Sequence, residues 1–172
     1  MTDQVREKMT AAEFAQLPET TQPTQLINGE LIVSPSPVDR HQDVVVGLVL
    51  LLGNEIKTGK VVVAPMDVYL TDDSVFQPDV FWLSAESACV NRDGYYYGPP
   101  ELVIEVLSPG AARLDRQEKY TAYARTGVAE YWIIDPLYEM IEVHVLTEGH
   151  FQRKGMYEHD ESFHSPILNH TF

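Results

Sequence analysis

The stretch ELVIEVLSPGAARLDRQEKYTAYARTGVAEYWIID, Glu101 to Asp135, decides the fold. Glu101 to Leu107 is apolar apart from its two glutamates, short enough for a strand, and stopped by Pro109-Gly110. Ala111 to Thr126 reads as a helix that ends at Gly127, because a helix C-terminus favours a residue free to turn left-handed. EYWIID then resumes an extended pattern of aromatic and β-branched side chains. Strand, helix and strand in this order predict a βαβ unit with parallel strands, a right-handed crossover and the helix across one face of the sheet.

Side chains alternate along a strand, so Glu101, Val103, Glu105 and Leu107 share one face, and Leu102, Ile104 and Val106 share the other. Glu105 is thereby aimed into apolar surroundings, where an unpaired carboxylate is costly, and it requires a cation or a hydrogen-bond network. A second acid lies upstream in VFQPDVFWL, where Pro78 biases the chain to an extended entry and Asp79 precedes an apolar run. If these strands pair, Asp79 and Glu105 converge at one end of the sheet. Two such carboxylates repel unless a cation sits between them, and a hard divalent ion such as Mg²⁺ or Mn²⁺ suits oxygen ligands of this kind. The bland reading of Glu105 is a structural ion pair with Lys119 or Arg116, and that of Asp79 is a turn-initiating acid.

Working outward, Thr10 and Glu13 form a capping-box pattern ahead of a short helix. QLINGELIV reads as a hairpin, with Asn28-Gly29 supplying the positive φ angles of a two-residue turn and Glu30 opening its far side. DRHQDVVVGLVLLLGNEIKTG reads as a helix so apolar in its second half that it is expected to be covered on two sides, by core or by a second copy in a homodimer. VVVAP, MDVYL and PDVFWL are strand candidates, SAESACVNRDG is a loop with YYYG behind it, and IEVHVL and HFQRK add late strands. The fold class is α/β or α+β, with a mixed β-sheet flanked by helices and no internal repeat.

Composition bounds the function. A chain of 172 residues that is 44% hydrophobic suits one domain over residues 1–172. Its single cysteine, Cys89, excludes an internal disulfide, and the polar start lacks a signal peptide's apolar core, so a cytoplasmic protein is expected. No apolar run is long enough to span a membrane. With 12 Lys and Arg against 26 Asp and Glu, the formal charge of −14 excludes whole-surface attraction to nucleic acid, so any such contact is local. Arg113, Arg116, Lys119 and Arg125 on the predicted crossover helix are the one candidate basic patch. The other histidines lack zinc-ligand spacing, Cys89 has no identifiable base, and neither a nucleophile elbow nor a phosphate-binding P-loop is present. Tyr95, Tyr96 and Tyr97 carry rings that stack on unpaired bases in other proteins, but successive residues of an extended segment face opposite ways and packing claims at least one.

The combination QPDV, ELVIEVLSPG and RLDRQEKYTAYARTGVAEYWIIDP resembles the Uma-type endonucleases, a bacterial family within the PD-(D/E)XK nuclease superfamily. The resemblance implies a restriction-endonuclease-like core and a Mg²⁺- or Mn²⁺-dependent hydrolase of phosphodiester bonds, with DNA as partner. Asp79 matches the Asp of the PD motif and Glu105 the acid of the (D/E)XK motif, which makes both metal ligands. The lysine expected two residues after the acid is replaced by Leu107, and its role is expected to move to Lys119 on the following helix. QLINGE resembles the family's ELIDGE segment with Gln25 and Asn28 in place of acids, leaving Glu30 as its remaining acid. His41, near the start of the apolar helix, is a candidate base or phosphate contact. The alternative from another class is a nuclease-fold protein that binds or regulates without cleaving.

Overall fold

The computed structural model describes residues 8–18, 20–34, 37–108 and 114–172; of Leu114 and Asp115 it describes the backbone alone. Two six-stranded sheets form the body. One runs in the order β2 (Glu30–Val33), β1 (Thr24–Ile27), β5 (Ser74–Phe76), β4 (Val68–Thr71), β8 (Tyr95–Tyr97), β7 (Val90–Arg92). The other runs β12 (His150–Glu158), β11 (Met140–Thr147), β10 (Glu130–Asp135), β9 (Leu102–Val106), β6 (Val80–Leu83), β3 (Lys60–Val63). Pairing is parallel between β9 and β10 and between β4 and β8, and antiparallel elsewhere within both sheets. The class is therefore the expected mixed α+β, built on two sheets rather than one.

The βαβ unit forms as the pattern predicts. β9 and β10 lie parallel, and the crossover carries a π-helical turn, Leu114–Lys119, that continues into α3, Tyr120–Thr126, and stops at Gly127 with φ 96°. The predicted helix start at Ala111 to Arg113 lies outside the described residues. The capping box of Thr10 and Glu13 opens α1, Ala11–Phe14, and the Asn28-Gly29 turn has φ values of 50° and 81°. The loop expected before YYYG instead includes the hairpin β7–β8, whose signal is Asp93-Gly94, both at positive φ.

Alternation along β9 divides the core. Val103 and Leu107 pack towards the first sheet and α3 with Phe81, Phe76, Tyr96 and Tyr123. Leu102, Ile104 and Val106 pack on the other side with Trp82 and Trp132, under Val45, Leu48 and Leu52 of α2, Asp39–Glu55. The core covers one side of α2 and leaves Val46, Leu50 and Leu51 exposed, Leu50 by 61%, on the side expected to meet either core or a second copy. Its apolar residues wrap round the helix, but the protein offers it one sheet face only. Among the described residues, no helix is long and apolar enough to cross a membrane.

Candidate active site

The register of two strands brings the acids together. Val80 of β6 is the partner of Ile104 of β9; Asp79 directly precedes the first and Glu105 directly follows the second, so both carboxylates leave neighbouring antiparallel strands at the same end and on the same face. Asp79 is anchored across that gap, because the backbone N–H of Val106 donates to its Oδ2 at 2.7 Å. His41, from the first turn of α2, places Nε2 3.3 Å from Asp79 Oδ1.

Glu105 is buried, and its surroundings show how the chain tolerates a carboxylate there. Lys119 Nζ lies 2.9 Å from Oε1, and the Tyr123 hydroxyl donates to the same oxygen at 2.7 Å. Lys119 and Tyr123 are one helical turn apart, so the crossover segment delivers an ammonium and a phenol together onto β9. Leu107, where a strand-borne lysine was expected, is buried in the core.

These groups border a cavity of about 660 Å³ that includes Asp79, Glu105, Lys119 and His41 in its lining. Its opposite side is built from the first sheet. There Gln25 Oε1 accepts from the backbone N–H of Gln77 at 2.9 Å, and Gln77 Nε2 donates to Asp67 Oδ1 at 2.7 Å. Burial raises the Asp67 carboxyl above its ordinary range, partly offset by the Gln77 hydrogen bond. Farther along, Tyr69 and Tyr95 border the same space; burial and then the neighbouring Asp67 push the Tyr69 phenol up to about 12.

Asp79, Glu105, Lys119 and His41 are thus brought together, whereas Glu30 is exposed at the hairpin turn and does not line the cavity. Gln25, five residues earlier, occupies the wall instead. The basic patch is broken up: Lys119 is buried on Glu105, Arg116 bonds Glu142, Arg125 is exposed in the last turn of α3, and Arg113 lies outside the described residues. Arg116 also rules itself out as the main partner of Glu105 by this engagement. Cys89 is buried and its thiol is pushed up to about 12, chiefly by burial, which keeps it from acting as a thiolate. Sequence reasoning missed Tyr123 and Asp67. Tyr123 was signalled by its spacing of four from Lys119, and Asp67 by the likeness of MDVYL to PDVFW, each an acid directly before an apolar strand.

The whole architecture matches a crystal structure described as a putative nuclease belonging to DUF820, from Anabaena variabilis ATCC 29413, with a TM-score of 0.78 over 94% of this chain and 91% of that one. At 20% sequence identity this establishes a shared fold with that protein. Residues 11–172 match the family model Uma2, described as a putative restriction endonuclease, and the chain belongs to that family. It is also 29% identical over 152 residues to an uncharacterized protein of Synechocystis sp., covering 86% of this chain and 82% of that protein.

Proposed function

We propose that this protein is a divalent-metal-dependent endonuclease that hydrolyses phosphodiester bonds in DNA, with Asp79 and Glu105 as the metal-holding acids. The observation that carries this reading is their convergence at one end of two paired strands, on a cavity that also holds Lys119 and His41. The donor set fits a hard ion: Mg²⁺ binds through one or two carboxylates and completes its coordination with water and phosphate oxygens. Among the described residues no three acidic, histidine or cysteine side chains are grouped to hold a metal, so an all-protein cage is not part of the reading. When bound, such an ion supplies charge neutralisation at the phosphate and acidifies a water.

The chain's own residues do the rest. The Val106 N–H and His41 hold Asp79 in one orientation, and Tyr123 does the same for Glu105. Lys119 brings a positive charge to the same place in a setting that excludes most water, where it is worth more to a developing anionic charge than in solvent. The second reading, a binding module that does not cleave, is favoured by one observation: Glu105 is already neutralised by Lys119.

Glu105→Gln separates them, since it keeps size and removes charge. Calorimetric titration with Mn²⁺ should show binding by the wild type and its loss in the variant, with DNA cleavage lost in parallel. Mn²⁺ affinity unchanged by Glu105→Gln would overturn the metal site. A wild type that binds no Mn²⁺, with a variant that only loses thermal stability, would identify a structural ion pair.

A further inference from the structure

The cavity wall facing the acids carries rings rather than cations. Tyr69 and Tyr95 both line it, with centroids 5.9 Å apart and planes at 81°. Tyr69 is stacked on Tyr97 at 4.8 Å and 21°, and the guanidinium of Arg92 sits 5.5 Å from the Tyr97 centroid. The residues forming this ladder belong to β4, β7 and β8, whose register sets Tyr69 beside Tyr97 and Arg92 beside Tyr95. Tyr95 is 45% exposed.

The charges on the cavity exclude a duplex reader. Among the described residues its lining holds three carboxylates, Asp67, Asp79 and Glu105, and no arginine, while its one described ammonium, Lys119, is engaged by Glu105. Elsewhere Arg40 is tied to Glu139 and Arg116 to Glu142. Binding that tracks both backbones of a duplex needs several cations facing phosphates, and among the described residues the cavity lining presents one, already engaged by Glu105. Aromatic stacking needs no such charge, and every base has a π-face. A cavity of about 660 Å³ is also of the size that takes small ligands and has room for a nucleotide.

We propose that the substrate of this site is an unpaired DNA strand, held by a nucleobase stacked on Tyr95 with its edge towards Tyr69 while its phosphate reaches Asp79, Glu105 and Lys119. The inference rests on reading the cavity as a phosphodiester-cleaving site. Asp67, with Oδ1 held by Gln77, and Gln25 line the same cavity and supply polar atoms for a base edge. Arg92, at the outer end of the ladder, is placed for a flanking phosphate.

The rings and the acids belong to different sheets, so binding is measured in EDTA, where no turnover occurs. Fluorescence anisotropy with a labelled mixed-sequence single strand, and with the same strand in a blunt duplex, should show the single strand bound roughly tenfold more tightly or better, the difference one good stacking contact makes. Tyr95→Ala should weaken single-strand binding by roughly tenfold, Tyr95→Phe should not, and Tyr95→Leu should behave like Ala because it lacks a π-face. Equal or tighter duplex binding, binding of neither probe, or single-strand affinity unmoved by Tyr95→Ala overturns the inference. Cleavage in Mn²⁺ is read separately. Ring-dependent single-strand binding without cleavage removes the hydrolytic reading and leaves this one standing; preferential cleavage of duplex does the reverse.

Discussion

Glu105 Oε1 receives both an ammonium and a phenol, and this double engagement makes Lys119 testable apart from the metal. Lys119→Ala should reduce turnover by roughly 10²–10³-fold, the usual loss when a preorganised charge-stabilising donor is removed, while Mn²⁺ affinity changes little. Lys119→Arg should recover little, because a planar fork does not reproduce a compact point charge. Single-turnover cleavage beside calorimetry checks both, and full activity in the Ala variant would remove Lys119 from the site. A second residue, His144, predicts a pH dependence of stability. It is buried among Tyr120, Tyr131 and Phe151, and faces Glu142 on its own strand, Arg153 from β12 and Arg116 from the π turn. Burial lowers its pKa despite Glu142, so the unfolded chain binds the proton more readily than the folded one. Its contribution is therefore intact above the ordinary histidine value of about 6.5 and is lost as pH falls below it. Melting curves from neutral to mildly acid pH should show a drop for the wild type that is smaller in His144→Phe.

At the scale of elements, α2 has a buried stripe and an exposed one of similar sequence. Leu52→Ala should cost about 2–5 kcal/mol, because Leu52 is fully buried against the tryptophans of the sheet, whereas Leu50→Gln should change stability by less than about 0.5 kcal/mol. Denaturant unfolding of the two variants checks this. The same helix shows where the sequence stopped being legible. VVVGLVLLLG is apolar all round, and composition alone does not reveal how many faces the protein has available to cover it. The βαβ unit was readable because each boundary had its own chemistry: a strand stopped by proline and glycine, a helix stopped by Gly127, and a strand resumed by EYWIID. The division into two sheets was not readable, since it depends on partners far apart in sequence, such as Leu26 with Val75 and Val68 with Tyr96. Within the candidate site, the positions of Asp79 and Glu105 could be anticipated from strand alternation. Glu30 could not be placed: a hairpin turn fixes where the acid is in the chain but not which way the hairpin faces.

For the whole molecule, an acidic surface governs how it meets a polyanion. The formal charge is −14, and Lys119, Arg116 and Arg40 are each paired with an acid. Few counterions are then released on binding, so log affinity for DNA against log salt should have a shallow slope of magnitude roughly two to four. Anisotropy titrations across a salt series measure it, and a steep slope would reveal a basic face assembled between copies of the chain.

The cavity draws one wall from each sheet; Phe81 and Tyr96 join the sheets directly at 5.1 Å, and Phe76 of the first sheet packs on Tyr123 of α3 at 5.2 Å. Tyr123 belongs to that packing and also to the hydrogen bond on Glu105. The contact that sets α3 against the first sheet therefore also orients Glu105, and the core works as the alignment gauge of the site. Displacement of a reacting group by about 1 Å costs on the order of a hundredfold in rate. Slight repacking at Phe76 is therefore expected to lower turnover out of proportion to its cost in stability.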